Sequence, residues 1–361
     1  MLLFKHSTAR SPKRQWGEFR MSESVRIGAA VPAWRHLRRH VMELVLLVLC
    51  AVLAFRAEGF FSTDNLLNIL RNVSMQGVIA FGMTMVIIAG EIDLSVGSMV
   101  AFSGCLAAWL TAFLSAPHEA GPTPGWKPNL PAMPAVVIAA CVSVAVGYGL
   151  GRLTGYLRVR FRVPTFISTL AWFTVLKGAA MLVTGGFPIT PFPDGYNVLG
   201  GGYVLGIPFP ALIFVVVFVV AWFVMDFTAF GRAIYAVGGN AEAARLSGIQ
   251  VAQVKTRVMG IVAALAAVSG LMLSSQIMSG NASVAAGWEL DVISAVIIGG
   301  TSLMGGSGSM WGTLIGVIFL GVLVNGMTLL NVSEFWQYVV RGVLILVAVL
   351  INNLTAETGR K

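Results

Sequence analysis

Phe209–Met225, FPALIFVVVFVVAWFVM, carries no charged side chain over a length close to one bilayer crossing. A helix needs about 20 consecutive apolar residues to cross the hydrocarbon core. The same texture extends in both directions from this run. Of 361 residues, 57% are apolar and only 11% are charged, with a mean hydropathy of +0.84. An ordinary soluble domain is roughly 45–50% apolar and roughly 25% charged. Too few polar side chains remain here to cover a water-facing surface. That excludes a soluble enzyme, a disordered chain and a nucleic-acid binder. It predicts an all-α polytopic membrane protein with about ten transmembrane helices.

The apolar runs lie at about 41–57, 66–90, 94–114, 132–151, 164–184, 209–225, 258–278, 290–304, 310–330 and 335–352. Loops rich in Gly and Pro fall at 115–131 and 185–208. The expected organisation is a basic tail (1–40), one transmembrane domain (41–353) and a short tail (354–361). Met21 opens a second plausible start, which would make residues 1–20 a mis-assigned extension. With the N-terminus inside, nineteen of the 24 Lys and Arg fall on cytoplasmic segments. The positive-inside rule therefore predicts a multi-pass protein with both termini in the cytoplasm. Cys50, Cys105 and Cys141 all sit in apolar runs and read as small buried hydrophobes, not disulfide partners or metal ligands.

No phosphate-binding loop of the G-x-x-x-x-G-K-[ST] type is present, so the chain should bind no ATP itself. The glycine-rich stretch Gly299-Gly300-Thr301-Ser302-Leu303-Met304-Gly305-Gly306 lacks the lysine and reads as a helix break or packing element. His6, His36, His40 and His118 show no metal spacing, and no nucleophile–base constellation exists. Three polar stretches remain. In the first, FGRAIYAVGGNAEAARLSGI (230–249), Asn240 is a good N-cap and Glu242 lies in the first turn; Gly248 is a natural stop. A short helix at about 240–248 follows, as a docking element or a plain surface connector. The second, GEIDLSVGSM (90–99), sets Glu91 and Asp93 beside hydrocarbon, with Ser95 able to help Asp93 cap a helix. Capping and a polar path both fit. The third, Glu289-Leu290-Asp291, opens the eighth run, on the outer side by this topology, as a cap or an acidic rim. A weak echo relates VIIAG (86–90) to VIIGG (296–300), each followed by Gly-Ser-Met.

Together these stretches resemble the membrane-spanning permease subunits of bacterial ABC importers for monosaccharides, the ribose/xylose type. The matching segments are GEIDLSVGSM (90–99), VPTFISTL (163–170), GRAIYAVGGNAEAARLSGI (231–249), ELDVISAVIIGGTSLMGGSGS (289–309) and WQYVVRGVLILVAVL (336–350). The resemblance implies the type II importer permease fold of ten helices. It implies a second permease subunit (a homodimer), two cytoplasmic ABC ATPase domains that hold ATP and Mg²⁺, and a periplasmic sugar-binding protein. The chain itself would hold no cofactor and contact no nucleic acid, only its partners and the lipid bilayer of the inner membrane. The coupling residues would be Gly238, Gly239, Asn240, Glu242, Ala243, Arg245, Leu246 and Gly248. Glu91, Asp93, Ser95, Glu289, Asp291, Gly299, Gly300, Gly305 and Gly306 would serve the pathway or its framework. Glu91 stands where a Gly is also common, a variant closer to the xylose-type members. A stand-alone ion-coupled carrier is the competing reading. It is disfavoured because such carriers bury carboxylates at mid-membrane, whereas these sit near the ends of the apolar runs.

Overall fold

The computed structural model describes residues 41–115, 130–190, 192–193 and 195–358. The basic segment 1–40 with its alternative start, the loop around Trp126 and residues 359–361 of the C-terminal tail lie outside the described residues. The helices are α1 (Val41–Arg56), α2 (Thr63–Ile88), α3 (Val96–Leu114), α4 (Ala132–Phe161), α5 (Thr165–Thr184), α6 (Val198–Gly201), α7 (Phe209–Phe227), α8 (Ala229–Gly239), α9 (Ala241–Leu246), α10 (Val251–Ile277), α11 (Trp288–Ile298), α12 (Met310–Leu329) and α13 (Glu334–Thr358). A two-stranded hairpin, β1 (Tyr203–Val204) with β2 (Ile207–Pro208), leads into α7.

Seven of these helices, α2, α3, α4, α5, α7, α10 and α12, are long and apolar enough to cross a membrane. The other three expected spans are also helical: α1 with 16 residues, α11 with 11 and α13 with 25. The helices sort into two layers. The apolar windows of α2, α3 and α10 are 83%, 67% and 72% buried, whereas those of α4, α5 and α7 are 22–28% buried. A helix that is apolar all round and still exposed needs a non-aqueous surrounding. The outer helices therefore face hydrocarbon or another membrane protein. Cys105 is buried and Cys50 partly so, but Cys141 lies on the exposed face of α4, against the expectation of burial. In a lipid-facing helix an apolar residue has no reason to turn inward.

Several boundaries differ from the sequence reading: α10 begins at Val251, not about 258, α11 ends at Ile298, not about 304, and two polar stretches are helical. The basic stretch that follows the apolar run 132–151 continues α4 to Phe161. Arg is a good helix former, and nothing stops the helix before Arg162 turns left-handed (φ 57°) ahead of Pro164. The first half of the polar stretch 230–249 is helical too: it lies in α8, which Thr228 caps by accepting a hydrogen bond from Gly231 N.

α10 is the central helix, packing on α2, α3 and α4. Its seam with α4 is made of glycine. Gly147, Gly151 and Gly155 recur at every fourth residue, and a Cβ on each would meet α10: Ala263 O at 3.0 Å, the Met259 carbonyl, and Thr256 Cα at 2.5 Å. Small residues at this spacing let two backbones touch and gain dispersion contact where the hydrophobic effect offers nothing. Gly151→Val should cost about 1–3 kcal/mol through overpacking. Gly149, one step round the helix, meets nothing within 4 Å. Thermal melting in mild detergent should fall clearly for Gly151→Val and stay near the parent value for Gly149→Ala.

Candidate functional site

Two of the sequence-selected polar stretches and the glycine-rich stretch converge at one end of the bundle, the end that carries Arg158, Lys255 and Arg245. α2 stops there because Gly90 (φ 76°) closes the helix, with Gly90 N donating to Ile87 O and Glu91 N to Val86 O. α11 stops in the same way: Gly300 (φ 89°) donates to Ile297 O and Thr301 N to Val296 O. The echo between 86–90 and 296–300 is thus a repeated left-handed helix stop.

Glu91 follows the first stop and is buried. Its carboxylate accepts from Lys255 Nζ at 2.6 Å, from Arg158 Nε at 3.1 Å, and from the Thr165 hydroxyl. One side chain therefore ties the α2–α3 break to the ends of α4, α5 and α10. Asp93, also buried, accepts from Ser95 N at 2.7 Å and Ser95 Oγ at 2.6 Å, holding the chain as it enters α3.

The α8–α9 elbow is built on Asn240. Its backbone is extended (φ −157°, ψ 100°), its N–H donates to Ala236 O, and its Oδ1 accepts from Glu242 N at 3.0 Å and Ala243 N at 2.9 Å. A single residue thus ends one helix and caps the next. α9 closes on Gly248 (φ 84°), with Ile249 N donating to Ala244 O. Ala244 is buried against the bundle, while Glu242, Ala243, Arg245 and Leu246 face outward, Leu246 75% exposed. Arg245 grips Glu242 through two bonds, Nη2 to Oε1 at 2.5 Å and Nε to Oε2 at 3.0 Å. That hydrogen bonding, with the adjacent positive charge, holds the Glu242 carboxyl below its ordinary pKa. The pair persists at neutral pH and is lost only as pH falls through that lowered value.

The elbow touches the bundle backbone to backbone. Any Cβ at Gly238 would strike the Ile88 carbonyl and meet Gly306 N at 2.6 Å. Gly306 N itself donates to Ile88 O at 2.9 Å, and Gly305 lies 3.1 Å from both Gly238 O and the Gly90 backbone as a Cβ would measure it. Tyr235 Oη donates to Gly308 O at 2.9 Å. A Cβ on Gly239 would meet open space, but its backbone lies against Gly306, whose own Cβ would fall 2.7 Å from Gly239 Cα. Gly299 belongs elsewhere, pressed on Gly312 of α12.

Glu289 and Asp291 do not join this site. Of the two readings, cap or acidic rim, their place in the first turn of α11 fits the cap, and their side chains turn into the bundle. Asp291 pairs with Arg341 of α13 at 3.0 Å and accepts from Gln76 Nε2 at 3.5 Å. Gln76 lies twelve residues before the end of α2 at Ile88, about 18 Å along the helix axis. Glu289 is buried against Gly97 of α3, and its Oε2 has no hydrogen-bond partner among the described residues. The chain gets there without helix: Gly280 packs on Ala108 of α3, and Ala285 O lies near Gly97. An eleven-residue α11 starting at the outer surface could not reach the basic end, so residues 281–287 re-enter the bundle first. The premise that carboxylates keep to span ends therefore falls for Asp291, although Arg341 neutralises it. Sequence reasoning also missed the cations that meet Glu91 and the glycine seam on α4. The seam was legible as a small-xxx-small pattern; the ion partners lie 67 and 164 residues away and left no local signal.

The comparisons with known proteins fit this geometry. Residues 65–349 match the family described as branched-chain amino acid transport system / permease component. The chain belongs to that permease family. It is 40% identical to the ribose import permease protein RbsC of Haemophilus influenzae, across 86% of this chain and 91% of the relative. It is 36% identical to the L-arabinose ABC transporter permease protein AraH of Azospirillum brasilense, across 91% of each. It is 31% identical to the xylose transport system permease protein XylH of Haemophilus influenzae, across 88% of this chain and 96% of the relative. Over the whole chain the identity is greater to the ribose relative than to the xylose relative. No solved structure matches the chain. Membership in this family and seven apolar helices of spanning length make the chain a multi-pass membrane protein.

Replacing Glu91 by Gln should leave Lys255, whose side chain is 14% exposed, without its counter-charge. We expect a lower melting temperature, with a loss of about 1–3 kcal/mol. Adding Lys255→Met should recover part of it. An unchanged melting temperature in E91Q would remove Glu91 from its role as a tie.

Proposed function

We propose that the chain is the membrane-spanning subunit of an ATP-driven importer that moves a pentose or related monosaccharide across the bacterial inner membrane. The observation that carries this reading is the backbone contact of Gly238 with Ile88 and Gly306. A capped, outward-facing helix joined to the bundle without intervening side chains transmits displacement instead of absorbing it. α9 is the coupling helix in this reading. Leu246, Ala243 and the Glu242–Arg245 pair meet a groove on a cytoplasmic ABC ATPase, which holds ATP and Mg²⁺. α8 passes the movement to the end of α2 and to the loop between α11 and α12.

The names of the ribose, arabinose and xylose relatives support a sugar as cargo. In this reading α1, α11 and α13 join the seven long helices in a ten-span, type II importer fold. The basic end faces the cytoplasm, as do both termini. A second copy of the permease completes the pathway, and a periplasmic sugar-binding protein delivers the sugar. An ion-coupled carrier has less support, because the mid-bundle Asp291 is already paired with Arg341 at 3.0 Å.

Uptake into proteoliposomes tests the reading. It should require the ATPase, the binding protein and ATP; uptake by this chain alone would refute it. Leu246→Glu should reduce co-purification of the ATPase about tenfold or more, as expected for loss of a central anchor. Its melting temperature should stay unchanged, since Leu246 touches little of its own chain. Gly238→Val should leave ATPase binding measurable yet abolish most uptake, because it forces α8 away from Ile88.

A further inference from the structure

The groove between the basic ends of α4 and α10 takes no part in the contacts described so far. It encloses about 360 Å³ and is lined by Arg152, Tyr156, Gln253, Thr256 and Arg257. Its walls are held rigidly, because the α4–α10 seam passes through Gly155 and Thr256. Gly260 lets the stem of Arg152 and the ring of Tyr148 lie against α10. The Arg152 guanidinium sits 5.8 Å from the centre of that ring.

Six basic residues occupy this region: Arg152, Arg158, Arg160, Arg162, Lys255 and Arg257. Glu91 is shared between Arg158 and Lys255. Among the described residues, Arg152 and Arg257 meet no carboxylate, and Arg257 makes only a long hydrogen bond to Gln253, 3.4 Å. Arg160 and Arg162 meet no carboxylate either, but Arg152 and Arg257 are the two that line the groove. Two cations together at the edge of hydrocarbon with no counter-charge call for an anion. The surroundings say which kind. Along α4 an exposed stripe of Ile138, Val142 and Tyr148 leads straight to Arg152 and Tyr156. An apolar track that ends in a basic cleft has the layout of a phospholipid, chains first and phosphate last.

We propose that this groove binds the headgroup of an anionic phospholipid. The two guanidinium forks engage the phosphate oxygens. Gln253 and Thr256 offer hydrogen bonds to headgroup hydroxyls. Tyr148 and Tyr156 sit at the level where tyrosine favours the membrane–water boundary. The acyl chains follow the α4 stripe.

Native mass spectrometry of the full chain released from mild detergent tests this. Phosphatidylglycerol and phosphatidylcholine with identical acyl chains are titrated separately. Two cations facing one anionic headgroup predict a preference for phosphatidylglycerol of about thirtyfold. The double variant R152Q/R257Q should reduce it to about threefold or less, while R152K/R257K should keep most of it and R56Q all of it. Equal retention of the two lipids, or an unchanged preference in R152Q/R257Q, overturns the proposal. Displacement of phosphatidylglycerol by millimolar inorganic phosphate would reassign the groove to a free anion. A second permease chain retained there in place of lipid would reassign it to a subunit contact. If R152Q/R257Q does not fold, the comparison of the two lipids on the parent chain and the lysine variant still decides.

Discussion

A buried carboxylate at a helix break holds the basic end of this molecule together. Glu91 interrupts the passage from α2 to α3 and collects Lys255, Arg158 and Thr165 from three other helix ends. A lone ionised carboxylate at that depth would be costly, and each partner alone would repay only part of it. With all three, the break becomes a fixed point from which five membrane-length helices, α2, α3, α4, α5 and α10, take their register. Ion pairs of this kind specify arrangement more than they add net stability.

Glycine does the complementary work of letting backbones meet. On α4 it forms a ladder against α10, and at the elbow it leaves Gly238 and Gly306 nothing but main chain to present. Both devices answer one constraint. Hydrocarbon offers helices no solvent-driven reason to associate, so association depends on close fit and on polar pairs shielded from lipid. The inner trio of α2, α3 and α10 follows from it.

Much of this was legible in the sequence. The apolar runs announced the helices, though not always their ends, because a long uncharged stretch has few alternatives in water or lipid. Asn240, Glu242 and Gly248 announced α9, since caps act over a single turn. α8 was not legible: Gly231, Gly238 and Gly239 look like loop residues, and only packing explains them, Gly231 on the Val224 and Met225 carbonyls and Gly238 and Gly239 on Ile88 and Gly306. The true depth of Glu289 and Asp291 was hidden for a related reason. A hydropathy pattern records how apolar a segment is, but not that residues 281–287 travel inward before the helix starts.

That inward stretch has a consequence for how the molecule can move. Its main chain is not helical, so its amides and carbonyls cannot all bond to one another, and lipid would leave them bare. It stays covered along α3 from Ala108 down to Gly97. Any rearrangement that peeled α3 from this strap would strip that cover. α3 and residues 280–288 should therefore travel as one body, and the surfaces that slide during a cycle must lie elsewhere, along the apolar side-chain contacts of the outer helices.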